Sequence, residues 1–246
     1  MKHSALKLIV CSYALFTGLA MATPIEITDV SGSWMDAVPG GPVISGEGTN
    51  TIKWGNSHPD YASGYAFNGS AAPAFSVHEG EEFVLGAFTH FNRPIGGQPL
   101  TSAELVVNTM IKVNGVAQLL ESIFHFDHWE TVNAPAPGRA CANGESREAS
   151  INRYGCADRV MISLSGSNSV AYAVGPKQYY LDITGFFHDG ELTQELWTKE
   201  RATNTSLLSG IIRSKVLEVP EPSSLALVAL SLLGLFSRKA LKKRWH

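Results

Sequence analysis

The sequence lacks the short motifs that mark common enzyme families. It has no GxSxG elbow, HExxH zinc helix, Walker loop or dinucleotide glycine fingerprint, and it has no Asp-x-Asp calcium loop. Internal repeats and low-complexity tracts are also missing. Since nothing here points to a hydrolase or a nucleotide-dependent enzyme, we expect the chain not to be an enzyme.

Cysteine is scarce as well, with 3 in 246 residues. Cys141 and Cys156 enclose a polar stretch rich in Gly, Ser and Asn, and they lack the CxxC spacing of a metal or redox pair. Outside the cytoplasm such a pair oxidises. We therefore predict a Cys141–Cys156 disulfide that closes a surface loop.

The N-terminal apolar run is too short to span a bilayer. Two lysines precede the 13-residue stretch Leu8–Ala20, whereas a membrane helix needs about 20 apolar residues. Ala20-Met21-Ala22 supplies the small residues that a signal peptidase reads. Residues 1–22 are therefore predicted to be a secretory signal peptide, and the chain is expected to be exported.

Positive charge is scarce between the predicted signal peptide and residue 238. About twelve Lys and Arg stand against 22 Asp and Glu, which gives this part of the chain a net charge of about −10. An acidic surface disfavours nucleic acid and anionic lipid, and it is compatible with calcium or with neutral glycans. We expect no nucleic-acid partner.

The C-terminal segment, residues 218–246, has three parts. Two prolines in residues 220–222 hold Glu221 in an extended conformation that cannot join a following helix. Residues 223–237 are uncharged and predict a single membrane helix of about 22 Å, shorter than the roughly 30 Å hydrocarbon core. Residues 238–246 carry five positive charges, which remain on the cytoplasmic side. The motif is Pro220, Glu221 and Pro222; the anchor residues are Leu225, Leu227, Leu230, Leu232, Leu233, Leu235 and Phe236; the basic residues are Arg238, Lys239, Lys242, Lys243 and Arg244.

This tail resembles the PEP-CTERM sorting signal of Gram-negative bacteria. The resemblance implies that an exosortase, a membrane-embedded transpeptidase-like enzyme, removes the tail near the motif. It also implies a transient inner-membrane intermediate and a final place on the cell surface or in the matrix of exopolysaccharide-producing, biofilm-forming cells.

Residues 23–217 read as one all-β domain. Short apolar alternations with turns between them predict a two-sheet antiparallel sandwich, jelly-roll-like in architecture. Asn114-Gly115 predicts a tight hairpin. Glu191–Arg201 is the one segment that suggests a helix. The predicted strands are Pro24–Thr28, Thr51–Trp54, Gly64–Phe67, Phe83–Phe91, Ser102–Val113, Ala117–Asp127, Asp158–Leu164, Ser169–Val174, Gln178–Phe187 and Ser206–Ser214.

Two predicted strands carry polar side chains on their apolar faces. Because alternate residues of a strand share a face, these side chains emerge at the strand ends beside the core. They either form a hydrogen-bonded network or bind a divalent metal, with Asn133 or Asp158 completing the coordination. The candidate residues are His90, Asn92, His128 and Glu130.

Aromatic residues provide a further candidate site. Trp54 precedes Gly55 in a loop-like stretch, and an exposed indole there would stack on a sugar ring. The alternative is that Trp54, like most aromatics, fills the core.

Several segments of the body resemble the THxN family of PEP-CTERM proteins, whose body is similar to the choice-of-anchor K domain. The resemblance implies a secreted domain of unassigned activity, although Val132 stands where the family has proline. We therefore expect an exported, non-enzymatic matrix or surface protein that associates with exopolysaccharide. The alternatives are a glycan-binding module and a metal-dependent hydrolase that uses His90, His128 and Glu130. The segments are SGSW (31–34), ISGEGTNTIKWG (44–55), SGYAF (63–67), THFN (89–92), HWETVN (128–133), CANG (141–144), GCAD (155–158) and ERATN (200–204).

Overall fold

The computed structural model describes residues 24–39, 44–55, 61–70, 74–163 and 171–217. Every regular element in these ranges is a β-strand. No helix within them is long and apolar enough to cross a membrane. The predicted signal peptide and the C-terminal sorting segment lie outside the described residues.

Thirteen strands form in the described part of the chain. Most show the period-two burial of a strand with one face on a core; residues 102–113, for example, alternate between buried and partly exposed side chains. The strands are β1 (Ile25–Val38), β2 (Thr51–Trp54), β3 (Ser63–Gly69), β4 (Phe75–Val77), β5 (Glu82–Asn92), β6 (Ser102–Val113), β7 (Val116–Trp129), β8 (Asp158–Ser163), β9 (Tyr172–Val174), β10 (Lys177–His188), β11 (Glu191–Thr193), β12 (Glu195–Thr198) and β13 (Ala202–Val216).

The strands assemble into two curled antiparallel sheets. Sheet 1 has the order β12-β8-β7-β6-β1-β4, and sheet 2 has the order β11-β10-β13-β5-β3-β2 with β9 beside β10. The predicted all-β, sandwich-like architecture is thereby confirmed, while its jelly-roll-like character stays a prediction. The chain passes from sheet 1 to sheet 2 through the three residues between β12 and β13.

The core lies between the two sheets and is rich in aromatic rings. Trp34 of sheet 1 packs with its ring centroid 5.2 Å from Tyr65 and 6.1 Å from Phe88, both in sheet 2. Phe126 of sheet 1 is stacked 5.6 Å from Phe88. These contacts join the sheets because offset and edge-to-face ring pairs add attraction to the burial of apolar area.

The predicted hairpin at Asn114-Gly115 is confirmed. Both residues have positive φ angles, 51° and 81°, as a two-residue turn between antiparallel strands requires. β6 and β7 continue in register from this turn.

The predicted helix at Glu191–Arg201 is wrong, since the segment forms β11 and β12. Asp189-Gly190, with φ angles of 51° and 86°, closes a hairpin between β10 and β11. β12 pairs with β8 and buries Leu196 and Thr198 on one face. Sheet edges that offer backbone hydrogen bonds thus decide the conformation of a segment whose own helical preference is weak.

Candidate functional site

Polar side chains gather at one end of the sandwich, where strands of both sheets end. Strand register sets their positions: Tyr65 lies opposite His90 in sheet 2, and Thr198 lies opposite Asp158 in sheet 1. His128 comes one residue before the end of β7. Their side chains are all buried.

His90 is enclosed and electrically neutral. Its Nδ1 lies 2.9 Å from the Thr198 hydroxyl, which itself donates to the Asp158 carbonyl at 3.1 Å. A hydroxyl has one proton to donate, so His90 must donate from Nδ1, and its Nε2 keeps a lone pair. Burial lowers the pKa of His90 well below its usual value, and the neighbouring His128 and Arg93 lower it further.

His128 connects the core to the carboxylates. Its Nδ1 lies 2.6 Å from the Tyr65 hydroxyl, and its Nε2 lies 3.5 Å from Glu130 Oε2. Burial lowers the pKa of His128 to about 4, so the ring is neutral at physiological pH. Burial, together with the nearby carboxylates, raises the pKa of Tyr65, which keeps its proton.

Three carboxyl groups, those of Glu130, Asp158 and Glu200, lie close enough together to repel one another. Burial raises the pKa of Glu130, and burial with repulsion from Glu130 raises that of Asp158. Burial raises the pKa of Glu200 to about 8, with repulsion from Asp158 and Glu130 as further causes. Carboxyl groups this close cannot all carry a negative charge without a cation or a proton among them.

Hydrogen bonds hold Asp158 in a fixed orientation. Its Oδ1 accepts from the Thr131 backbone N–H at 2.6 Å. The Thr131 hydroxyl lies 3.2 Å and 3.0 Å from the carbonyl oxygens of Cys156 and Ala157. The turn after β7 is therefore fixed to the strand entry at β8.

The predicted disulfide between Cys141 and Cys156 is present, with an S–S distance of 2.01 Å. Asn152, inside the loop, accepts a hydrogen bond from the Ala157 N–H at 3.0 Å. The loop thereby reaches the residue next to Asp158. The disulfide closes the predicted surface loop, and this loop borders the polar cluster.

Some of the predicted site residues come together and others do not. Ligand atoms of His128, Glu130 and Asp158 all lie within 4.8 Å of one another. His90 is not in this group, although its ring centroid is 5.2 Å from that of His128. Asn92 donates from Nδ2 to the Thr198 carbonyl at 3.2 Å. The imidazole–carboxylate group is thus His128, Glu130 and Asp158 rather than His90, His128 and Glu130.

Glu200 is a site residue that the sequence reasoning missed. It lies between β12 and β13, where the chain crosses between sheets, and it is 1% exposed. A Cβ at Gly155 would lie 2.3 Å from Asn133 Oδ1 and 2.7 Å from Glu200 Cγ, so both side chains press against that glycine. The available signal was the segment ERATN, which begins with Glu200.

Trp54 does not provide the exposed indole that sugar stacking needs. β2 alternates with period two and turns Ile52 and Trp54 inward, so Trp54 has no exposed surface. Its ring packs 4.8 Å from Tyr65 and 5.3 Å from His128. The indole forms part of the wall of the polar cluster, and the stacking prediction is corrected.

A comparison with known families identifies the tail. The family described as PEP-CTERM protein-sorting motif matches residues 218–242. No curated protein matches the chain. The motif implies export, processing by an exosortase, and a surface or extracellular location in Gram-negative bacteria.

Proposed function

We propose that this chain is a non-enzymatic surface or matrix protein, delivered by exosortase processing and associated with exopolysaccharide. The observation that carries the non-enzymatic part is the enclosure of the polar cluster. His90, Asn92 and Asp158 have no exposed surface, and Glu200 has almost none. A polymeric substrate cannot reach them, which supports a structural role for the cluster.

The resemblance to THxN proteins gains support from the positions of its segments. THFN, HWETVN, GCAD and ERATN are far apart in the sequence, and residues from each belong to the polar cluster or touch it. Chance matches would be scattered over the fold, whereas these segments meet at one site, as expected if they belong to one family of domains. We infer that the body belongs with these secreted domains.

Cell fractionation tests the delivery. Replacing Pro220, Glu221 and Pro222 by alanine in an exosortase-carrying Gram-negative host should leave full-length protein in the inner membrane. The matched control replaces Ser223 and Ser224 by alanine, which should be processed normally. Release of the triple variant at the processed size would contradict the proposal.

The matrix location needs its own measurement. The processed protein should co-sediment with isolated exopolysaccharide and should be released when the polysaccharide is enzymatically degraded. Recovery of all processed protein in the polymer-free medium would contradict matrix association while leaving sorting intact.

A second candidate function, glycan binding, is favoured by a row of solvent-facing side chains on sheet 1, of which one is exposed and two are partly buried. Trp129, Arg159 and Trp197 are opposite one another in register on β7, β8 and β12. The guanidinium carbon lies 4.9 Å and 6.0 Å from the two indole centroids. Trp129 is 46% exposed. Aromatic faces held beside a hydrogen-bond donor suit sugar rings.

Polysaccharide pull-down tests this row. Trp129→Ala should reduce binding at least several-fold, because it removes the most exposed indole. Tyr154→Ala, at an aromatic that is 63% exposed and does not belong to the row, is the control. Equal binding by wild type and both variants would remove the glycan function.

A further inference from the structure

Two ligand residues of the polar cluster each have one polar atom held and one available. His128 is held at Nδ1 by Tyr65, which leaves Nε2 facing Glu130. Asp158 is held at Oδ1 by the Thr131 N–H, while Oδ2 is buried with no hydrogen-bond partner among the described residues. Metal-binding histidines and carboxylates are oriented in this way, with the second atom fixed by the surrounding protein.

Further buried oxygens near the cluster also lack partners. Within the described ranges, both carboxylate oxygens of Glu200 and the Oδ1 of Asn133 are shielded from solvent without a hydrogen bond. Buried polar atoms are nearly always paired, because an unpaired one costs about 1–3 kcal/mol or more. Several buried acceptors without hydrogen bonds, beside an imidazole and two carboxylates whose ligand atoms lie within 4.8 Å of one another, indicate that a cation belongs there.

We propose that His128 Nε2, Glu130 and Asp158 bind a divalent transition metal of the Zn²⁺ type. Their ligand atoms are mutually within 4.8 Å, so small side-chain movements bring them onto one ion. A donor set of one imidazole and two carboxylates suits Zn²⁺, whereas Ca²⁺ prefers oxygen ligands alone. The two carboxylates balance the charge of the ion, and the unpaired oxygens of Glu200 and Asn133 are the next candidates for a further ligand.

The position of the site gives the ion a structural role. His128 lies at the end of β7 and Glu130 directly follows that strand. Asp158 begins β8 beside the disulfide, and Glu200 lies on the crossover to sheet 2. An ion at this point ties the end of β7 to the start of β8 and so to the disulfide loop, and Glu200 places the crossover to sheet 2 beside it. The Glu130 side chain, 14% exposed, leaves a route for the ion to reach the site from solvent.

Metal titration of the full chain, purified without a histidine tag and stripped with EDTA, tests the proposal. Zn²⁺ should bind with one high-affinity ion per chain in calorimetry and should raise the midpoint of thermal unfolding. Glu130→Gln keeps the side-chain shape, so it should fold, as checked by circular dichroism, and should weaken binding at least about tenfold. His128→Ala should abolish it.

The same strand supplies a matched control. His125 and Asp127 form an exposed pair at 3.3 Å, which also joins an imidazole to a carboxylate. His125→Ala should bind Zn²⁺ as wild type does. Loss of binding in His125→Ala with retention in Glu130→Gln would assign the ion to the surface and overturn the proposal. Stabilisation by Ca²⁺ but not by Zn²⁺ would overturn the imidazole ligand, and no binding of either ion would overturn the site.

Discussion

Removing the Cys141–Cys156 disulfide should weaken the domain by an amount that its loop length sets. The bond spans 15 residues of sequence. In the chain-entropy account, the unfolded chain gains conformational entropy when this loop is no longer closed. This gain lowers the free energy of unfolding by about 3 kcal/mol at 25 °C. For a domain near 200 residues, each kcal/mol corresponds to about 2–4 °C, so the unfolding midpoint should fall by about 6–12 °C.

Urea unfolding of the purified protein measures this effect. Cys141→Ala with Cys156→Ala should shift the free energy of unfolding, and dithiothreitol should shift the wild type equally. The reagent should leave the alanine variant unchanged, which is the control for effects elsewhere. A decrease in the free energy of unfolding below about 1 kcal/mol would refute the entropic reasoning. It would mean that the loop is already restricted in the unfolded chain without the disulfide.

Three further changes probe the core and the polar cluster. Phe88→Ala should lower the free energy of unfolding in urea by about 3–5 kcal/mol, because it leaves a cavity in the core. Phe187→Ala, at an exposed ring, should change it by no more than about 0.5 kcal/mol. Equal effects of the two substitutions would contradict the assigned core. Gly155→Ala should lower the free energy of unfolding by about 1–3 kcal/mol, because its φ of 144° strains any residue with a Cβ and atoms within 3 Å leave that Cβ no room. Gly96→Ala, where a Cβ would meet open space, should be nearly neutral. Thermal unfolding of the two variants compares these effects. Tyr65→Phe should cost about 1–3 kcal/mol by leaving a buried imidazole nitrogen unpaired, and an unchanged unfolding midpoint would contradict that hydrogen bond.

Much of the strand content could be read from the sequence because strand patterns are local. Asn114-Gly115 encodes its own turn, and β6 with its period-two burial needs no distant information to be recognised. β1 extends ten residues beyond the predicted end at Thr28, across Gly32. Its pairing with β6 supplies the hydrogen bonds that its own sequence does not predict.

The candidate site could be predicted only in part. His128 and Glu130 were visible as polar residues on an apolar alternation, and Asp158 as an added ligand. Glu200 had no such pattern, because it lies in a turn and becomes a site residue only through the crossover between sheets. Trp54 was predicted to be exposed at the end of a strand beside a loop, but its side chain lies on the inward face of β2, which pairs with β3.

The sequence alone determined the export route and the chemistry of the pieces: a sorting motif at residues 218–242, a disulfide pair, alternating strands and one tight hairpin. These depend on neighbouring residues, so they can be read without a fold. Which side chains share a site was decided by the tertiary structure. Carboxylates 28 and 42 residues apart, at Glu130, Asp158 and Glu200, approach one another only because two sheets close over a common end.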